Sequence, residues 1–475
     1  MSTNKILTNR YLIAGAAVLV IMASCSKNFL NKYPNDSTSS GEALGTVSAL
    51  QTAVNGAYSE LRQINLYGRD LPVLGDLQAD NTFVEQNNSG RYLNQFKYLY
   101  TSSDGVVADV WTDAYAAILD CNNVIDATVT GADAIKAQAY ALRALMYFKL
   151  VTLYARPYTD NPNGLGVPLI LHYQPALLPG RDSISKVYAQ IISDYKTALL
   201  NAPAYTNSVT LSKYSIEALL ARAYLYMGDN ADAYTAATDV INNGGFTLDG
   251  TAAAYAAFWH NPAVQSNQEE VLFEIDQDAT NNLGSDDLGQ IYYYGGYQDI
   301  YATQQLVNLY SATDIRGSVL VAGTTKSGFP ATLCGKYING TSTDKDNPKV
   351  IRLAEVYLIA AEASLPNSTQ AQGWLNQLMS YRDAAFPGYT STGAQLLSDI
   401  VNERRKELAF EGDRIFDLNR LMWPVNRAPA TTNPGSITQN LDTIPYSNYL
   451  RVYPIPLAET QANAVIAAQQ NPGYQ

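Results

Sequence analysis

The chain has 475 residues, 47% hydrophobic and 16% charged, with a formal net charge of −12. That composition suits a globular protein of several domains or one large helical array, excludes a disordered polymer, and argues against a broad basic surface for nucleic acid. Two histidines and three scattered cysteines leave too few ligands for a zinc centre and little basis for thiol redox work or a histidine triad, so neither metal nor cofactor is expected.

Lys5 and Arg10 precede an apolar run over 11–23, too short to cross a bilayer but suited to a secretory signal. Ala23 and Ser24 stand directly before Cys25, and Met22-Ala-Ser-Cys25 resembles a bacterial lipobox. Residues 1–24 therefore read as a lipoprotein signal, Cys25 as the lipidated residue, and the small polar stretch in 25–42 as a tether. Cys121 and Cys334 leave two readings open, a disulfide or two isolated buried thiols.

Apolar residues recur at helical spacing over 43–64, 107–126, 133–156, 184–201 and 213–227. Residues 213–241 read as helix, tight turn at Gly228-Asp229-Asn230, then helix, which resembles one tetratricopeptide unit. Leu353, Val356, Tyr357, Ala360 and Ala361 form the stripe of another buried helix. Between these, 242–345 is rich in Gly, Asn and Asp with short β-like pieces such as Glu270–Ile275. The expected fold is mainly α: tetratricopeptide-like helix pairs in a solenoid scaffold, long irregular loops and a few short strands. The expected divisions are a helical region over 43–241, a loop-rich insertion over 242–345 and a C-terminal region over 346–475.

Three constellations carry candidate chemistry. Glu403, Glu407 and Glu411 share one helix face, a spacing open to a glycosidase carboxylate pair. Arg404, Arg405, Arg414 and Arg420 surround them, with Arg352 and Glu355 on another helix, which favours structural ion pairs. Arg143 and Arg222 sit in apolar helices and need carboxylate partners. Asp276, Asp278, Asn281, Asp286 and Asp287 form an oxygen-rich loop, but Asn281 stands where a calcium loop of the EF-hand type requires glycine. A solvated acidic loop is the default there.

Tyrosine is the over-used residue, at 35 against 11 Phe and 4 Trp, and its densest run is Tyr292-Tyr-Tyr-Gly-Gly-Tyr297. Loop packing on the core, contact with a partner protein and stacking against a ligand are all open to it. Sugars lay C–H faces on aromatic rings, while their hydroxyls need amides, carboxylates or arginine. The loop Asn81–Tyr92 supplies those polar types. The candidate ligand contacts are Asp80, Asn81, Asn87, Arg91 and Tyr92 with Tyr292, Tyr293, Tyr294 and Tyr297.

Several phrases in order resemble the SusD/RagB family, the glycan-binding lipoproteins of Bacteroidetes. They are Cys25 through Pro34, Asn55-Gly-Ala-Tyr58, Ala79-Asp80-Asn81, Trp111 with Tyr115, Asn122-Asn-Val-Ile125 and Ala141-Leu-Arg-Ala-Leu-Met-Tyr-Phe148. Further along come Leu220–Asp229, Ile351–Glu362, Glu403–Arg414, Pro454-Ile-Pro456 and Gln470–Tyr474. The resemblance implies four tetratricopeptide-like units and a lipid-anchored, non-enzymatic protein of the outer membrane. It implies that an oligosaccharide is captured and delivered to a SusC-like TonB-dependent transporter barrel. Binding of peptides or other nutrients, and a lipid-anchored glycosidase, are the alternatives. The expected face is the cell exterior, although the first acid after Cys25 is Asp36.

Overall fold

The long helices mostly open on a side-chain oxygen, the device that satisfies the amides a helix leaves unpaired at its start. The computed structural model describes residues 44–474, so the signal segment, Cys25 and the tether lie outside the described residues. Helix α1 (Val47–Leu61) follows Thr46, whose hydroxyl accepts from the amide of Ala49. Asp104 opens α2 (Gly105–Asp126) in the same way. Helix α3 (Asp133–Tyr154) lacks a side-chain cap. Ser183 opens α4 (Ile184–Leu199), and Ser212 with Ser215 forms a reciprocal capping box on α5 (Lys213–Met227). Gly228, at φ +77°, ends α5, and Asp229 immediately caps α6 (Asn230–Asn243).

From α2 to α6 each helix packs on the next in chain order, and α1 packs on α2. Helix α6 then passes the array to α7 (Leu353–Ala363) across the long insertion, and α7 packs on α8 (Ser368–Arg382) and α9 (Gly393–Glu407). A further short helix, α10 (Arg414–Arg420), packs against the segment Asp70–Leu77. Helix α1 buries one stripe, Leu50, Val54, Ala57 and Leu61. Every residue of α7 is buried, as suits a helix wrapped on all sides. No helix of the described residues is long and apolar enough to cross a membrane.

Two loop-rich stretches of the sequence hold more order than their composition suggests. Residues 67–106 contain the helix Asp70–Leu77, buried along its whole length, and 242–345 contains the helix Ala252–His260. Six short strands matter for the site: β1 (Thr82–Val84), β2 (Val271–Glu274), β3 (Ile300–Ala302), β4 (Leu320–Thr324), β5 (Pro330–Cys334) and β6 (Lys349–Arg352). A four-stranded sheet runs in the order β1-β3-β5-β4, and β2 pairs with β6 where the insertion leaves and rejoins the helices. All these pairings are antiparallel, with Phe83 opposite Tyr301 and Ala322 opposite Thr332.

Candidate functional site

The pairing of β1 with β3 sets the loop after β1 beside the loop before β3, and the β4–β5 turn joins them. Two buried carboxylates hold this junction from behind. Asp299 accepts from the amide of Ser89 at 3.0 Å, from the Ser89 hydroxyl, and from Nζ of Lys326 at 2.9 Å. Glu85 accepts from the amides of Asn87 and Ser327. Lys326 also donates to the carbonyl of Tyr297 at 2.7 Å. Each carboxylate thus ties one loop to another, so the three loops form one rigid surface.

On that surface the Arg91 guanidinium lies 3.6 Å from the centroid of the Tyr297 ring. Asp286, 3.4 Å away, steadies Arg91, and Arg69 in turn binds Asp286 at 2.8 Å. Tyr294 is 42% exposed and stands edge-on to Tyr293 at 5.2 Å. Its hydroxyl rests on Gly323, where a Cβ would come within 1.8 Å of it. Asn87 is exposed beside them. The surface therefore offers ring faces, an oriented guanidinium and free amides, the mixture that grips a molecule with C–H faces and hydroxyls.

The structure corrects four of the candidate contacts. Tyr292 ends the helix Leu288–Tyr292 and is fully buried, its ring 6.1 Å from Tyr337 and 5.4 Å from Phe410. Tyr92 is buried with its hydroxyl on Asp70 and Arg69 over its ring. Asp80 is gripped by Arg414 at 2.8 and 3.0 Å and by Arg405 at 3.3 Å. Burial opposes its charge, but the two arginines outweigh it and hold the carboxyl at about 2. Asn81 bridges Asp76 and Arg405. Asp80 and Asn81 lie where the chain before β1 meets the C-terminal segment, and Tyr92 and Tyr292 are buried against other parts of the core, so all four support the loops rather than line them. Sequence reasoning passed over Glu85, Asp299 and Lys326, which come from three distant segments with no local motif.

Helix α9 ends at Glu407 and Glu411 follows in a turn, so the three glutamates do not share one helix face as expected, but all three are buried. Glu407 accepts from Arg352 at 3.0 Å, Arg382 at 2.9 and 3.1 Å and Arg316 at 3.3 Å. Glu411 pairs with Arg352 and Lys336, and Glu403 with Arg316 and Lys406. Burial opposes the charge of Glu407, yet Arg382, Arg352 and Arg316 hold it well below the usual carboxylate range. A second buried set joins Arg222 to Glu355 and Arg404 to Asp417. Arg143 makes a bidentate bond to Asp194 at 2.8 and 2.7 Å. No oxygen of Glu403 or Glu407 is open to a substrate, which removes the geometry a glycosidase needs.

In the acidic loop Asp278 caps its own turn through Thr280 and Asn281, Asp286 binds arginine, and Asp287 caps the helix after it. Among the described residues no group of three or more His, Cys, Asp and Glu is placed to hold a metal ion. Cys121 and Cys334 are free, buried thiols, and burial pushes both upward in pKa.

Comparison with known proteins agrees with this architecture. A family model described as starch-binding and associating with the outer membrane matches residues 28–225, and one described as the SusD family matches 331–474. The chain is 28% identical over 529 aligned positions to SusD-like protein P2 of Formosa agariphila, covering 98% of this chain and 100% of that one. It is 22% identical to a SusD-like protein of Bacteroides ovatus, covering 87% and 83%. A solved SusD superfamily protein of Bacteroides thetaiotaomicron superposes with a TM-score of 0.80 at 28% identity, covering 90% of this chain and 100% of that one. One from Bacteroides vulgatus superposes with a TM-score of 0.80 at 27% identity, covering 90% and 99%. With matching family models at both ends, full-length relatives and the same helical array, the chain is similar to the SusD/RagB family over most of its length.

Proposed function

We propose that this protein captures oligosaccharides on the surface built by loops 85–91, 293–299 and 325–329, without making or breaking a bond. It hands them to a SusC-like TonB-dependent transporter barrel, from the outer face of the outer membrane, where a lipid on Cys25 anchors it. The observation that carries this reading is the Arg91–Tyr297 stack beside the exposed Tyr294, braced from behind by Asp299 and Glu85. A braced aromatic surface loses little freedom on binding, so its rings can be given over to a ligand. The family's description as starch-binding and outer-membrane-associated supports the same ligand class and place.

Calorimetric titration with neutral oligosaccharides tests it, using maltoheptaose, cellohexaose and xylohexaose. By analogy with bases stacked on aromatic rings, each ring contributes about 1–3 kcal/mol, or roughly one to two decades in affinity. Tyr297→Ala and Tyr294→Ala should each weaken binding on that scale and leave the melting temperature near wild type. Wild-type affinity in both variants would remove the surface from the site. Cys25→Ala should release the protein from the membrane fraction. If the variant stays with outer membranes in cells without the transporter, the anchor is elsewhere.

A further inference from the structure

A second polar concavity lies away from the loop surface, between α1 and the chain that follows β2. It is a groove of about 430 Å³, within the size range of small-ligand sites. Gln51, Asn55, Tyr58 and Arg62 recur at helical spacing along one side, and Thr210, Asp276 and Asn281 face them from the other.

Part of this lining is fixed. The Tyr58 hydroxyl donates to Gln138 at 2.9 Å and accepts from the amide of Leu211 at 3.0 Å, and its ring packs edge-on to Phe273. Arg62 ties the two walls together, donating to the Asp276 carbonyl at 3.2 Å and to Ser59 at 2.8 Å. The rest is open. The amide nitrogen of Asn55, the hydroxyl of Thr210 and the half-buried carboxylate of Asp276 have no hydrogen-bond partner among the described residues. The Asn55 carbonyl oxygen is already held by Gln51, which leaves its amide nitrogen oriented.

We propose that this groove is a second saccharide-binding cleft, in which the Asn55 amide and the Asp276 carboxylate engage adjacent hydroxyls of a neutral sugar. A sugar hydroxyl donates once and accepts as well, so a donor on one wall and an acceptor on the other match a pair of them. The Asp276 charge disfavours an anionic ligand, and the one arginine present is already bonded to both walls. A loop joins the two sites: Asn281 lines the groove, while Asp286 steadies Arg91. The five residue steps from Asn281 to Asp286 span at most about 18 Å, so one long glycan can engage both sites and gain affinity by linkage.

The choice of a sugar probe rests on the carbohydrate reading above, and the test separates the two. Wild type, Tyr297→Ala and the double variant Asn55→Ala/Asp276→Asn are titrated with neutral malto-, cello-, xylo- and manno-oligosaccharides of three and seven units. Thr210→Trp, which fills the groove without removing either polar group, serves as an independent block. With three-unit probes wild type should take two equivalents, and the double variant and Thr210→Trp should each keep only the Tyr297-dependent one. With seven-unit probes either groove change should weaken binding at least tenfold. Unchanged stoichiometry and affinity in the double variant and in Thr210→Trp overturn the groove while the loop surface stands. A single equivalent lost only with the groove changes supports the groove and overturns the loop surface. No binding of any probe to wild type overturns both.

Discussion

Glu407→Gln should destabilise the fold by about 3–5 kcal/mol, the scale for leaving buried charges unpaired. Three guanidiniums, those of Arg316, Arg352 and Arg382, converge on this one carboxylate, and all four groups are buried. Glutamine keeps the shape, removes the charge and turns an acceptor into a donor facing arginine. Denaturant unfolding measures the loss, with Glu269→Gln, an exposed glutamate, expected within about 0.5 kcal/mol of wild type. The pH dependence follows from the same pairs. Burial opposes ionisation of Glu403, Glu407 and Asp417, but neighbouring cations outweigh it and keep all three below their ordinary values. Carboxylates depressed in the folded state contribute stability that is fully present above their unfolded pKa and lost as pH falls through the folded one. The contribution of these pairs should therefore be fully present above about pH 5 and decline below about pH 4, less steeply in the variant. An unchanged unfolding midpoint for Glu407→Gln would show that the network contributes nothing net.

Gly75→Ala should be nearly as damaging for a purely steric reason. A Cβ at Gly75 would lie 1.9 Å from the carbonyl oxygen of Gly412 and 2.2 Å from its carbon. Gly412, at φ +86°, has the reciprocal problem, with the Leu71 carbonyl 2.6 Å from its own Cβ position. Here two backbones touch, so no side chain can turn aside, and the loss should reach or exceed the 1–3 kcal/mol or so usual for overpacking. The separation would also stretch the bond from the Gly412 amide to Asp76, 2.8 Å long, beside the Asp80 pairs. Gly56→Ala is the matched control: it lies in α1 with nothing within 4 Å of its Cβ position. Exchanging glycine for alanine there should stabilise by roughly 0.5–1 kcal/mol. Thermal melts of the two variants should move in opposite directions, and a Gly75→Ala protein that melts like wild type would refute the close crossing.

The helical array was legible because its periodicity is local: the stripe Leu50, Val54, Ala57, Leu61 and the turn at Gly228 need no distant information. The candidate site was legible only in part. Tyr294 and Tyr297 stand out as tyrosines in a glycine-rich loop, but the same run gave no sign that Tyr292 closes a short helix against Tyr337 and Phe410. Asp80 and Asn81 look like solvated loop residues because their partners, Arg405 and Arg414, lie more than 300 positions away. The mixture of Glu and Arg over 403–414 is visible as a pattern, yet Arg316, Arg352 and Arg382 enter from three other segments. Asp299, which fastens Ser89 to Lys326, has no signature at all, since its role exists only once the sheet has formed.

The crossing of the first and last parts of the chain also fixes a sequence of events during biogenesis. Arg427 donates to the carbonyls of Leu77, Ala79 and Phe96, and Gln86 donates its amide to Gly435. A polypeptide that emerges from its N-terminus presents helices α1 to α6 first, and these can pack together before the rest of the chain follows. The loop at 85–91 must wait for residues near 300, then for those near 435, before it has anything to lean on. The loop surface is therefore the last part to mature, and a chain cut short before Arg427 carries a finished helical scaffold with an unfinished loop surface.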